Sequence, residues 1–188
     1  MRVLIISFLI TLLVGCTIGD SNDSVVTAQP YVGLEERLHR KQIKELVGVD
    51  PVTTEWCAAF VNAVLELDNI PGSDTVSNKP LLARSFLQWG EHVERYDVQR
   101  GDVVVFPRGS VSWQGHVGFY VERHIVDGIE YWVILGGNQD KKVSYVYYKP
   151  NKAIGIRRYH KYQWYLVIMF RGEKNVSSQW KYGVYVGR

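Results

Sequence analysis

The fold of this chain is decided by the stretch TEWCAAFVN at residues 54–62. Apolar residues recur at helical spacing from Trp56 to Leu67, which predicts a helix that begins near Cys57 and is capped by one of the two threonines before it. Cys57 then lies in the first turn, where the helix dipole and unpaired N–H groups favour an anion. A cysteine at this position is either an activated nucleophile or a small buried apolar residue.

Alternating apolar residues predict an antiparallel sheet after this helix. Further helices are expected at 34–47, from an amphipathic pattern, and at 81–89. Helices followed by strands predict an α+β fold. The predicted strands cover 103–106, 116–121, 131–135, 143–148 and 153–159.

His116 begins the second predicted strand, between glycines and an apolar run. A histidine there is well placed to reach the start of the cysteine helix and to act as its base. The remaining histidines lie in charged or polar stretches and are predicted to face solvent. They are His39, His92, His124 and His160.

A third group is expected to accept a hydrogen bond from the second imidazole nitrogen. The third strand runs into Gly-Gly-Asn-Gln-Asp, which offers Asn138, Gln139 or Asp140, and Asn138 is the predicted acceptor. The same residues also suit a hairpin turn, since glycine and asparagine tolerate positive φ angles. Both interpretations can hold together.

Six ordered blocks resemble the CHAP and NlpC/P60 group of papain-like peptidoglycan hydrolases. They are TEWCAAFVNAVLE, ARSFLQWG, QRGDVVVFPRG, GHVGFYVE, LGGNQDKKVSYVYY and GIRRY. The resemblance implies a papain-like α+β domain over 34–160, with N-terminal helices and a catalytic helix packed on an antiparallel sheet. It implies Cys57 as the nucleophile, His116 as general base and then acid, and Asn138 as the orienting residue. Peptidoglycan is the implied substrate, a peptide or amide bond the implied target, and no cofactor is expected.

Two positions depart from the wider group. Many CHAP enzymes carry a glutamate where this chain has Gly136, and papain-like proteases carry a glutamine where it has Pro51. The oxyanion hole is therefore expected from backbone N–H groups such as that of Cys57. The alternative function is a catalytically inactive wall-binding or lysis-associated lipoprotein with the same fold.

The first residues have the pattern of an export signal. Met1 and Arg2 are followed by an apolar run at 3–14, which is shorter than the roughly 20 residues that span a bilayer. Leu-Val-Gly-Cys at 13–16 resembles the lipobox of bacterial lipoproteins, which implies a signal peptide at 1–15 and an acylated Cys16. An ordinary signal peptide or a signal anchor is the alternative.

The expected location is the cell envelope, with the chain anchored to a membrane through Cys16. Thr17 after that cysteine favours the outer membrane in a host with two membranes, by resemblance to lipoproteins of such hosts. Residues 16–33 are rich in small polar residues and predict a flexible tether. Residues 161–188 are predicted to be a β-rich or partly disordered extension.

Composition limits the partners. The net charge is +3, with basic residues scattered through the last third, and no motif that reads nucleic acid occurs. The domain is expected to be a monomer that contacts peptidoglycan and the lipid membrane, without nucleic acid. With Cys16 acylated, Cys57 has no partner for an internal disulfide.

Overall fold

The computed structural model describes residues 23–160, which form three α-helices followed by six strands. The predicted α+β order is confirmed. The helices are α1 (Ser24–Ala28), α2 (Arg40–Val47) and α3 (Cys57–Leu67), and the strands are β1 (Glu91–His92), β2 (Val103–Pro107), β3 (Gly115–Val126), β4 (Ile129–Gln139), β5 (Lys142–Tyr148) and β6 (Gly155–Arg158). Short 3₁₀ turns join them at Gln29–Tyr31, Ser73–Thr75, Ala83–Gln88, Arg95–Asp97 and Pro150–Lys152.

The six strands form one sheet in the order β1-β6-β2-β3-β4-β5, and every neighbouring pair is antiparallel. The five strands predicted from the sequence are confirmed within a few residues. β3 and β4 are the longest, and they continue past the ends of β2 and β5 as a projecting hairpin.

Apolar residues of the sheet alternate between two cores. Val103 and Val105 join the main core beneath the helices, whereas Val104 and Phe106 join a smaller core on the opposite face. Period-2 alternation along β2 therefore covers both faces of the sheet, which explains why its sequence is an unbroken apolar run.

Helix α3 packs against β3 and β4 at close range. A Cβ built on Gly137 would lie 2.6 Å from Phe60 Cβ and 2.6 Å from the Trp56 ring, so this position of β4 accommodates only glycine without displacement of the helix. Trp56 and Phe60 are themselves buried and meet edge to face. The start of α3 is thereby fixed against the sheet.

The predicted flexible tether at 16–33 is wrong for its second half. Residues 24–28 form α1, in which Val25 and Ala28 are buried, and Ser24 donates a hydrogen bond to Asp68 at the end of α3. Two apolar side chains and a buried polar contact are enough to order this short segment on the core. Residues 16–22 lie outside the described residues, as do the signal peptide at 1–15 and the extension at 161–188.

Two predicted helices are shorter or tighter than expected. The helix at 34–47 begins only at Arg40, because the backbone of Leu34 pairs with Val143 and extends the edge of β5. The helix at 81–89 is the 3₁₀ turn Ala83–Gln88. Within residues 23–160, no helix is long and apolar enough to cross a bilayer.

Candidate active site

Cys57 is the first residue of α3 and is only 3% exposed. The N-cap position is occupied by Trp56, which makes no capping hydrogen bond through its side chain, so the predicted threonine cap is wrong. Hydrogen bonds from the backbone N–H groups of Val117 and Ala58 reach the sulfur. The first of these contacts holds the thiol against the start of β3.

Burial raises the pKa of the Cys57 thiol, because the apolar surroundings disfavour the thiolate. The N–H group of Val117, the guanidinium of Arg108 and the N–H group of Ala58 act in the opposite direction without cancelling that effect. The resting site therefore holds a neutral thiol at neutral pH, although the sequence predicts activation by the helix terminus.

His116 is the second residue of β3 and is 4% exposed. It pairs with Phe106 across the strands, so the two side chains share the face of the sheet opposite the helices. The ring of Tyr148 stacks on the imidazole, with centroids 5.8 Å apart and planes 13° apart. The ring of Tyr148 thus lies between the imidazole and the ring of Phe106. His116 is also next in sequence to Val117, whose N–H contacts the thiol.

Gln139 fixes the orientation of the imidazole. Its side-chain N–H₂ donates to the backbone carbonyls of Ile134 at 3.2 Å, of Gly136 at 3.4 Å and of Ser144. Carbonyls only accept, so the amide oxygen is left to face His116, with Oε1 3.1 Å from Nε2. Nε2 must then carry the proton in the neutral ring, and Nδ1 keeps its lone pair for use as a base.

The predicted acceptor Asn138 is wrong in this respect. A β-bulge between Gly136 and Gln139 places Asn138 at φ 55° and breaks the alternation of side chains, so that Gln139 takes the position beside the imidazole. Asn138 Nδ2 instead donates to Glu55 Oε2 at 2.6 Å. The glycines and asparagine serve this bulge, whereas the hairpin turn itself falls at Asp140 and Lys141.

Burial lowers the pKa of His116 to about 4, because the imidazolium loses its hydration. The hydrogen bond to Gln139 raises the pKa, and the nearby charge of Arg108 lowers it further. Among the described residues the imidazole hydrogen-bonds to Gln139, and no hydrogen bond joins it to the thiol. The resting pair is therefore neutral and is not joined by a hydrogen bond.

A cleft of about 360 Å³ opens on Cys57. Arg108 and Glu55 lie at its rim and form an ion pair with Nη1 3.1 Å from Oε2, and the same carboxylate oxygen accepts from Asn138. Leu81, Leu82, Ala83 and Trp113 supply apolar walls. A larger cavity of about 610 Å³ on the other side of Leu81 contains none of the predicted site residues.

The sequence does not predict the roles of Arg108, Glu55 and Tyr148. Glu55 stands two residues before the cysteine, which is a detectable position, but its partners come from β4 and from the loop after β2. Tyr148 reaches the imidazole only because β5 lies beside β4. The ring of Tyr148 also stacks on that of Phe106. No spacing along the chain carries that information.

No protein-family model and no curated protein sequence matches the chain. Among solved structures it is similar to an NlpC/P60 family protein from Bacillus cereus, with 16% identity, a TM-score of 0.47, and coverage of 73% of this chain and 39% of that one. It is also similar to NlpC1 from Trichomonas vaginalis, with 20% identity, a TM-score of 0.46, and coverage of 74% and 44%. The chain spans about two fifths of the length of each. A likeness of this degree concerns the course of the backbone, so the chemistry rests on the residues described above.

The buried imidazole predicts a loss of stability in mild acid. The pKa of His116 is lowered from 6.5 to about 4 in the folded protein, so the unfolded chain binds more protons between these values. The contribution of His116 is complete above pH 6.5 and falls as the pH drops to 4, by about 3 kcal/mol in all. The free energy of unfolding, measured in urea between pH 6.5 and 4, is expected to fall less steeply with pH in His116→Gln, because the glutamine amide does not titrate. Equal slopes in the variant and the wild type would contradict the lowered pKa of His116.

Proposed function

We propose that this chain is a cysteine-dependent hydrolase of peptide or amide bonds in peptidoglycan. The observation that carries the proposal is the arrangement of three groups at one corner of the sheet. They are the thiol of Cys57 at a helix start and on a cleft, His116 at the adjacent strand start, and Gln139, which leaves Nδ1 of the imidazole unprotonated. This is the order of nucleophile, base and orienting group that thiol catalysis requires.

The neutral resting pair defines the first step. As the sulfur of Cys57 attacks the substrate carbonyl, the thiol proton passes to Nδ1 of His116, and the charged imidazolium keeps its Nε2–H on Gln139. His116 then gives that proton to the departing amine, and a thioester to Cys57 remains. Water attacks the thioester with His116 again as base, which releases the carboxylic acid and restores the thiol.

The imidazole has to move toward the sulfur for the first proton transfer. Catalytic hydrogen bonds are often long or absent before substrate binds and tighten in the complex. A substrate that fills the cleft and excludes water would bring the two elements together. The absence of the contact in the resting site is also the observation that favours the second candidate, an inactive wall-binding protein of the same fold.

Backbone donors supply the oxyanion hole in this proposal. The N–H groups at the start of a helix have no carbonyl partner within it. Cys57 is the first residue of α3, and its own N–H lies beside the attacking sulfur. Pro51 has no N–H and no side-chain donor, so it does not replace the missing glutamine.

Peptidoglycan as the substrate rests on the six sequence blocks and agrees with the cleft. Wall peptides carry free amino and carboxyl groups, and the rim of the cleft offers one cation, Arg108, and one carboxylate, Glu55. Apolar walls at Leu81 and Trp113 accommodate the alkyl parts of such a chain. We further propose that acylated Cys16 anchors the protein to a membrane of the cell envelope.

Loss of the nucleophile tests the hydrolase directly. Cys57→Ala is expected to lower the release of fragments from purified peptidoglycan by at least about 10³-fold, since groups acting as a unit give losses of this size or larger. His116→Ala should be about as damaging, and the double variant no worse than either. Mass spectrometry of the new amino and carboxyl ends identifies the bond.

Fragment release at background in both the wild type and Cys57→Ala, with sedimentation of both proteins on intact peptidoglycan, would favour the inactive wall-binding protein. Circular dichroism checks that the variant is folded. An active enzyme loses hydrolysis and keeps binding in this variant.

The two neighbours Gln139 and Asn138 form a matched pair. Gln139→Ala is expected to reduce hydrolysis about 10²-fold, because a misplaced imidazole loses the attacking geometry, whereas Asn138→Ala should lose less. Gln139→Ala should also change the tautomer of His116, as read from its ¹⁵N chemical shifts. If both variants lose the same activity and neither changes the tautomer of His116, then neither residue orients the imidazole.

The anchor is tested by metabolic labelling with a palmitate analogue. Label should enter the wild-type chain and be absent from Cys16→Ser, while Cys57→Ser keeps it, because Cys57 is buried in a folded site. Label retained in Cys16→Ser, or a wild-type protein that fractionates away from membranes, would leave an ordinary secreted protein.

A further inference from the structure

The hairpin formed by β3 and β4 projects from the sheet at the end opposite the candidate active site. Val103, the first residue of β2, pairs with Phe119, so β3 runs on unaccompanied by β2 to Val126. On the other side Tyr148, the last residue of β5, pairs with Trp132, which leaves the start of β4 beyond the sheet. We call residues 122–131 the hairpin tip.

The hairpin tip is apolar where it is most exposed. Ile125 is 60% exposed, Ile129 47% and Val126 43%, and Val126 pairs with Ile129 across the turn. Large apolar side chains scattered singly need no explanation, but these three are clustered at the end of a projection.

An aromatic row lies one step behind these aliphatic residues. Tyr131 and Tyr147 meet edge to face with centroids 6.2 Å apart, and His124 lies 5.3 Å from Tyr147. Aliphatic side chains at the end and tyrosines one row behind follow the order found at a membrane interface, where rings with one polar end lie at the level of the headgroups.

Both ends of the described chain meet the sheet where β2 begins, beside the middle of β3 and between His116 and Val126. Asp23 forms an ion pair with Arg100 just before β2, and Arg158 at the end of β6 forms one with Asp102. The segments 1–22 and 161–188 therefore join the domain about six residues of β3 from Val126, which is roughly 20 Å of strand. Tyr96, which is 90% exposed, lies on the turn that Arg158 contacts through Asp97.

Chain length limits how far Asp23 can lie from a membrane. Seven residue steps separate Cys16 from Asp23, and a fully extended chain of that length reaches at most about 25 Å. The apolar run at 3–14 ends just before Cys16, so a signal anchor would impose a similar limit. Either kind of attachment leaves the hairpin tip within reach of the lipid.

We propose that the hairpin tip is a membrane-contacting surface that inserts Ile125, Val126 and Ile129 into the headgroup region of a bilayer. The proposal rests on the membrane attachment proposed above and is independent of the hydrolase chemistry. Ten residues of β3 separate Val126 from His116, which is about 33 Å of strand. The contact therefore presents the cleft to material lying away from the membrane.

The hairpin tip is expected to bind the bilayer through its apolar side chains and not through basic residues. The hairpin tip carries Glu122, Asp127 and Glu130 against a single basic residue, Arg123, apart from His124. An acidic tip is repelled by anionic lipid, so the contact should form better on zwitterionic than on anionic bilayers.

The test uses the chain purified from membranes with Cys16 acylated and reconstituted in phosphatidylcholine vesicles. Cys57→Ser is the background, so an environment-sensitive fluorophore reacts only with the one introduced cysteine. A label at Val126→Cys should shift to the blue on reconstitution, whereas a label at Ser112→Cys, beside the cleft, should not. Ile125→Asp with Ile129→Asp should abolish the shift at position 126. The matched control pair Leu38→Asp and Leu67→Asp, at aliphatic residues exposed by 75% and 52% elsewhere, should leave it unchanged.

Three outcomes would overturn the proposal. If a label at 126 is already shielded from water in detergent-free buffer and does not respond to lipid, the hairpin tip is covered by another part of the chain, such as 161–188. A response to soluble peptidoglycan fragments in place of vesicles would make it a glycan site. Equal fluorescence shifts at 126 and 112 would show that the domain does not contact the bilayer preferentially through the hairpin tip.

The experiments distinguish the membrane-contacting surface from the proposed hydrolase and from the proposed anchor. Loss of peptidoglycan hydrolysis has no effect on the fluorescence at 126. If palmitate labels Cys16 while position 126 stays in water, the anchor stands and the membrane-contacting surface is excluded.

Discussion

The approach of α3 to the sheet is the constraint on which the site depends. β4 passes the first turn of the helix at Gly137, where a Cβ would meet Phe60 and Trp56 at 2.6 Å. Because the two elements touch backbone to side chain at this point, Cys57 is brought against the N–H of Val117 at the start of β3. Closely packed interiors transmit small displacements, so a larger residue at 137 would move the nucleophile.

The same close packing explains the protonation state of the site. Cys57 and His116 are both almost fully buried, and burial acts on them in opposite senses, raising the pKa of the thiol and lowering that of the imidazole to about 4. A preformed thiolate–imidazolium pair would place two charges in apolar surroundings without a hydrogen bond between them, which is unfavourable. In the proposed mechanism, proton transfer is thereby coupled to the arrival of substrate in the cleft. Until then the thiol stays neutral, and a neutral thiol oxidises less readily than a thiolate.

The candidate active site and the exposed aliphatic tip lie at the two ends of one pair of strands. The first residues of β3 carry the imidazole, and the last residues carry the exposed aliphatic tip. Backbone hydrogen bonds join β3 and β4 as far as Val126 and Ile129, so the hairpin fixes the separation between the two ends. Asp23 and Arg158, where the described chain begins and ends, lie beside the middle of this hairpin.

The sequence by itself determined the elements and the residue types of the site: the helix starting at Cys57, five strands from their alternation, and His116 at a strand start. These follow from local periodicity and from chemistry that only cysteine and histidine supply.

Tertiary structure decided the rest. A bulge at 136–139 exchanged Asn138 for Gln139, since side-chain direction in a strand reverses with one residue of slip. Buried contacts of Val25, Ala28 and Ser24 ordered a segment with the composition of a tether, and the pairing of Leu34 with Val143 shortened α2. Each of these depends on partners distant in sequence, which no local pattern records.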